Sequence, residues 1–148
     1  MLSATLPQEK LIPLVLEGKN VLLLAPTGSG KTEAAVLPIF SRIIDGNFQK
    51  ISMLYITPLR ALNRDMLARL LEYGSASGLS VKVKHSDISA SARREIVLQA
   101  PDVLITTPES LQIMLNGRRL REIIKNVKFV VIDEVHELGN SAFLRYSP

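Results

Sequence analysis

The sequence has 148 residues, 47% hydrophobic and 22% charged, a balance that supports a buried core and excludes a disordered chain. It contains no cysteine, which excludes disulfide staples, thiolate nucleophiles and zinc–thiolate centres, and its formal charge of +4 leans only slightly towards an acidic partner. No apolar run approaches the roughly 20 residues that span a bilayer, and "MLSATLPQEK" lacks the basic start and apolar core of an export signal, so a single soluble, cytoplasmic domain with no membrane partner is expected.

A helix is predicted over residues 7 to 17, followed by a strand in "NVLLLA" (20 to 25), a Gly-rich turn in "APTGSGKT" (25 to 32) and a helix over 31 to 45. "SMLYIT" (52 to 57) reads as a buried strand, 59 to 73 as a helix, and the small, polar "YGSASGLS" (73 to 80) as a loop. "SVKVKH" (80 to 85) alternates polar and apolar residues, the pattern of an edge strand. A helix over 89 to 99 leads to the strand "DVLITT" (102 to 107), a helix over 108 to 116 that stops at Gly117, a helix over 119 to 125, and the strand "KFVVIDE" (128 to 134). The basic run "NGRRLREIIKNVK" (116 to 128) reads first as a solvated helix face and only second as a phosphate contact. Strands alternating with helices predict a doubly wound α/β fold with a mainly parallel sheet, whose ligands sit at the carboxyl ends of the strands.

The turn at 25 to 32 follows a predicted strand and opens a predicted helix, the context in which a Gly-rich loop cradles phosphate. Gly28 and Gly30 let main-chain N–H groups face an anion at a helix N-terminus, Lys31 reaches the β- and γ-phosphates, and the Thr32 hydroxyl ligates Mg²⁺. Thr27 and Ser29 complete the loop; Ala25 stands where the general pattern has Gly. The alternative for the loop by itself is a helix cap without a ligand. A carboxylate pair, Asp133 and Glu134, closes the last strand at the same sheet edge: Asp133 suits the Mg²⁺ shell and Glu134 a base or orienter for an attacking water. Neither His has partners at zinc-site spacing.

"APTGSGKTEAA", "TPLRALNRDM", "TTPESL" and "DEVH", in this order, resemble motifs I, Ia, Ib and II of superfamily 2 helicases, most closely those of the large-helicase-related (Lhr-like) group. The resemblance implies a RecA-like ATP-binding domain over residues 1 to 148, with ATP and Mg²⁺ as cofactors and a strand of DNA or RNA as partner. It gives Gln8 the adenine edge, makes Arg60 and Thr107 backbone-contact candidates with Pro58, Pro108 and Glu109 shaping their loops, and assigns His136 to coupling between the sites. "HSDISASARREI" (85 to 96) resembles the family's H-G-D-x-S loop, with Ser86 in place of Gly. Tyr55 and Phe129 lie within strands and are expected in the core, which leaves no aromatic platform for base stacking. No Ser-Ala-Thr motif III and no second RecA-like lobe follow "DEVHELGNS", so the resemblance implies a domain incomplete at its carboxyl end, with "AFLRYSP" (142 to 148) departing from the pattern. The competing readings are a truncated, non-catalytic nucleotide- or nucleic-acid-binding module and, more distantly, a small-molecule P-loop kinase.

Overall fold

A computed structural model describes residues 3–85 and 89–138. The chain divides into two compact units, residues 1–47 and 48–148.

In the first unit, α1 (Leu6–Leu16) packs on α2 (Lys31–Asp45). Pro7 sits in the first turn of α1, where a missing N–H costs nothing. The helix ends at Gly18, whose φ of 78° brings its N–H to Val15 O and the Lys19 N–H to Leu14 O, so the last carbonyls are satisfied. Val36, Ile39, Phe40 and Ile43 bury one face of α2, Ala34 is buried on the other side of the helix, and the Arg42 guanidinium reaches Val15 O at 3.5 Å. The strand expected at 20 to 25 does not form: the backbone there is irregular, and Leu22 and Leu24 are 74% and 86% exposed. An apolar run supplies a tendency to be buried, but a strand also needs a ladder, and none among the described residues includes this segment.

The second unit is built on a parallel four-stranded sheet in the order β2–β3–β1–β4, with β1 at Met53–Ile56, β2 at Val81–Lys84, β3 at Val103–Thr106 and β4 at Phe129–Ile132. Every residue of β1 and β3 is buried, as expected of strands covered on both faces. The alternating "SVKVKH" strand is β2, at the sheet edge as its pattern predicts. Leu54, Ile56 and Leu104 pack with Ile96 of α4 (Ala90–Leu98), Leu111 and Met114 of α5 (Pro108–Asn116) and Leu120 of α6 (Arg118–Ile124). On the opposite face, α3 (Arg64–Ala76) lies so close to β2 that a Cβ on Gly74 would stand 2.3 Å from Val81 Cγ2. That approach lets the helix run through Gly74 to Ala76, where the composition predicts a loop. At its other end the helix begins later than residue 59: Leu59–Ala61 forms a separate 3₁₀ turn, and Asn63 restarts the chain by accepting the Met66 N–H at 2.8 Å. Gly117 does separate α5 from α6, but with an ordinary φ of −86°. A last short helix, α7, spans Val135–Leu138. Among the described residues no helix is long and apolar enough to cross a membrane.

Asp102 ties the strands together at their amino ends. Its carboxylate accepts from Lys50 Nζ, just ahead of β1, and from the Ser80 N–H and hydroxyl at 2.9 and 2.8 Å, just ahead of β2. Burial alone, the largest influence on it, would raise its pKa; the Lys50 and Ser80 hydrogen bonds together outweigh that and hold it below the ordinary aspartate value. A depressed folded-state pKa contributes stability that is full above the unfolded value of about 3.9 and is lost as pH falls through the folded one. Asp102→Ala is therefore expected to cost about 1–2 kcal/mol at pH 7, measured by urea unfolding. The gap between variant and parent should narrow below about pH 4.

Candidate functional site

The Gly-rich loop belongs to the first unit. Gly28 and Gly30 take φ of 77° and 80°, the left-handed region that side chains avoid, and Gly30 immediately precedes α2. The Ser29 hydroxyl donates to Pro26 O at 2.7 Å, closing the turn, and the Ala34 N–H begins the helical ladder on Gly30 O. Lys31 Nζ reaches back across the loop to Ala25 O at 2.8 Å. Thr27 and Gly28 are exposed, while Ser29, Gly30, Lys31 and Thr32 are half-buried. The start of α1 lies against the same loop: the Thr5 hydroxyl donates to Ser29 O at 2.9 Å, and Gln8 holds the Thr5 N–H through its side-chain oxygen. A Cβ on Gly30 would stand 2.6 Å from Gln8 Nε2. Gln8 thus stands beside the loop whose residues it accompanies in the sequence pattern.

The other candidates belong to the second unit, where three strands end level with one another. Ile56 pairs with Thr106 on one side and Ile132 on the other, so "TTPES", "TPLR" and "DEVH" leave the sheet side by side in that order. The Asp133 N–H continues the ladder by donating to Ile56 O at 2.9 Å. Asp133 Oδ2 accepts the Tyr55 hydroxyl at 2.6 Å and Oδ1 accepts the Glu134 N–H at 2.9 Å. Glu134 is half-buried with φ 51°, and it is the one non-glycine residue among those described with a left-handed backbone. The His136 ring, 74% exposed, stands 3.3 Å from the Glu134 carboxylate.

Arg60 is exposed and donates through Nε to Glu137 of α7 at 2.6 Å, joining the "TPLR" loop to the segment after "DEVH". Pro58 is half-buried and caps the 3₁₀ turn. Thr57 Oγ1 is buried with no hydrogen-bond partner among the described residues. Thr107 is buried, and its hydroxyl caps α5 by accepting the Ser110 N–H at 3.2 Å; Pro108 opens that helix, and Glu109 is exposed in its first turn. Ser86 and the two residues after it in the "HSDIS" loop lie outside the described residues, as does the tail from 142 to 148; Ser89 caps α4. Side chains joined to the candidates but given no functional role by sequence reasoning include Thr5, Tyr55, Ser110 and Glu137. For Tyr55 a signal existed: a fully buried strand position carries a hydroxyl where Phe would fill the same space.

Taken unit by unit, the candidates have the chemistry that ATP and Mg²⁺ take. The loop offers main-chain N–H groups, an ammonium and a hydroxyl, and Asp133 is an oxygen ligand of the kind a hard cation takes. Each carboxylate oxygen carries two lone pairs, so the two hydrogen bonds it accepts leave further capacity.

The parallel sheet with helices on both faces and a glycine-rich phosphate loop opening a helix define a RecA-like P-loop domain. A family model for DEAD/DEAH box helicases matches residues 5–146, and the chain belongs to that family. It is 43% identical over 150 residues to the ATP-dependent helicase Lhr-Core of Sulfolobus acidocaldarius, covering 93% of this chain and 17% of that protein. The Lhr helicase/probable uracil glycosylase of Mycolicibacterium smegmatis is 39% identical over 84% of this chain and 9% of its own length. Among solved structures, Mycobacterium smegmatis helicase Lhr bound to ssDNA and AMP-PNP superposes with a TM-score of 0.79 at 35% identity, over 95% of this chain and 19% of that one. A hypothetical ATP-dependent RNA helicase from Sulfolobus tokodaii gives 0.76 at 26% identity, over 98% and 41%. The chain therefore spans less than a fifth of the Lhr relatives it matches.

Comparison of two loop glycines separates backbone conformation from packing. Gly28→Ala meets nothing within 4 Å and bears only the left-handed penalty, about 1–2 kcal/mol. Gly30→Ala bears the same penalty and displaces Gln8 as well, so thermal denaturation should rank it as the more destabilised of the two.

Proposed function

We propose that this chain is the ATP-binding and ATP-hydrolysing lobe of an ATP-dependent nucleic acid helicase, a RecA-like lobe over residues 1–148. The observation that carries the reading is the row of level strand ends presenting "TTPES", "TPLR" and "DEVH" together. A small-molecule kinase would need "DEVH" alone of the three. The relative bound to ssDNA and AMP-PNP supports a single strand as partner, and DNA and RNA both fit contacts made to the sugar-phosphate backbone.

In this reading the main-chain N–H groups from Thr27 to Thr32 bind the phosphates, and Lys31 exchanges Ala25 O for the β- and γ-phosphate oxygens. Gln8 takes the adenine edge. The Thr32 hydroxyl and the Asp133 carboxylate are the residues that hold Mg²⁺. When bound, ATP–Mg²⁺ supplies the phosphoanhydride to be cleaved and the charge that offsets the developing anion. Glu134 orients the attacking water and accepts its proton, with His136 beside it as the coupling residue. Arg60 holds a backbone phosphate in exchange for Glu137, with Pro58 fixing the direction of its loop. In the neighbouring loop Pro108 and Glu109 shape the contact, and Thr107 acts through the helix start that it caps.

The chain spans less than a fifth of the Lhr relatives it matches. Arginine fingers, which the second lobe supplies in this architecture, are worth about 10³–10⁵ in rate in related phosphoryl-transfer systems. The purified chain is therefore expected to bind ATP–Mg²⁺ weakly, hydrolyse it slowly and unwind nothing. Nucleic-acid-stimulated ATPase measurements test the assignment: Lys31→Ala should lower the rate about 10²-fold or more. Glu134→Gln should lower the rate by about 10²–10⁴ while nucleotide still binds. Rates in both variants equal to that of the unaltered chain would overturn the assignment.

A further inference from the structure

Tyr55 is 1% exposed, in the central strand of the sheet, and its hydroxyl donates to Asp133 Oδ2 at 2.6 Å. The contact follows from register. Tyr55 is the partner of Val131 across the β1–β4 ladder, and Asp133 lies two residues further along on the same side of β4, a diagonal that a long aromatic side chain can span. Packing alone would be served by Phe; the hydroxyl adds a donor that needs an acceptor once buried. The acceptor is one oxygen of a carboxylate whose other oxygen is held by the Glu134 N–H. Two donors from two directions fix both the rotation and the tilt of the carboxylate plane.

We propose that Tyr55 is a positioning residue for Asp133, holding the carboxylate in the orientation from which it serves a divalent cation. The inference rests on the reading of Asp133 as the Mg²⁺ carboxylate. Tyr55 touches neither nucleotide nor cation in this scheme; it acts through Asp133. Partners of this kind around metal-binding carboxylates typically govern metal affinity by about 10–100-fold. One β1 residue thereby connects two features that leave adjacent strand ends, because the strand carrying Tyr55 runs directly into the "TPLR" loop.

The test is equilibrium binding of a fluorescent N-methylanthraniloyl-ATP to the 148-residue chain, titrated with Mg²⁺ or in EDTA, alongside Mn²⁺ binding followed by electron paramagnetic resonance. Tyr55→Phe keeps the ring and removes the hydroxyl. It should raise the Mn²⁺ and Mg²⁺ concentrations needed for half-saturation about tenfold, leaving nucleotide affinity in EDTA unchanged. Ile105→Val, on the strand at the other side of Tyr55, removes packing without touching a carboxylate; it should lower thermal stability and leave the cation requirement where it was. Equal losses with and without cation in Tyr55→Phe, or a cation shift in Ile105→Val as large, would make Tyr55 a packing residue and overturn the proposal. Asp133→Asn distinguishes the two levels. If it removes the cation dependence while Tyr55→Phe preserves it, the positioning role fails and the Mg²⁺ reading stands. If Asp133→Asn changes nothing, or the unaltered chain shows no cation dependence, the Mg²⁺ reading falls and this inference falls with it.

Discussion

The arrangement of the second unit depends on one constraint, the in-register parallel pairing of β1 with β3 on one side and β4 on the other. Because the ladder ends level at Thr106, Ile56 and Ile132, three polar loops emerge as a row instead of a staircase. A slip of one residue in β4 would turn its side chains to the opposite faces and carry Asp133 away from the side on which Tyr55 lies. Burial of β1 on both faces is what makes such a slip costly, since Met53, Leu54, Tyr55 and Ile56 are all buried and each would lose its neighbour. Register is therefore both a packing property and the source of the site's geometry.

Two aspartates show how the same side chain serves opposite ends of this sheet. Asp102, at the amino ends, spends its acceptors on Lys50 and Ser80 and fastens the starts of β1, β2 and β3. Asp133, at the carboxyl ends, is held by two neutral donors, the Tyr55 hydroxyl and the Glu134 N–H. Cohesion is concentrated at one edge, and the residues with uncommitted chemistry are gathered at the other, as the rule for ligand sites in open α/β sheets requires.

Much of this was legible because the relevant signals are local. Strands buried on both faces announce themselves as short apolar runs, which makes the segments around Met53 and Val103 legible within a residue or two, and the alternation in Val81–Lys84 marks one edge; β4 is an equally apolar run at the other edge, where Phe129 is only half-buried and Val130 and Ile132 are exposed, so its composition does not tell its burial. The Gly-rich loop was legible because left-handed backbone at Gly28 and Gly30 needs residues without a Cβ. What local signals omit is the partner. "NVLLLA" has the composition of a strand without a ladder among the described residues, and the helix read from residue 59 begins only where Asn63 captures the Met66 N–H. Tyr55 was assigned to the core correctly, yet its hydroxyl contact depends on which residue of a strand 78 positions away lies diagonally opposite. No local pattern carries that information.

Glu134 offers a last consequence. Its backbone, at φ 51°, occupies a conformation that Gly and Asn adopt readily and that a longer side chain enters at a cost of about 1–3 kcal/mol. Gly or Asn would enter it at less cost, so the turn after β4 is a strained point of the backbone that its own side chain does not relieve.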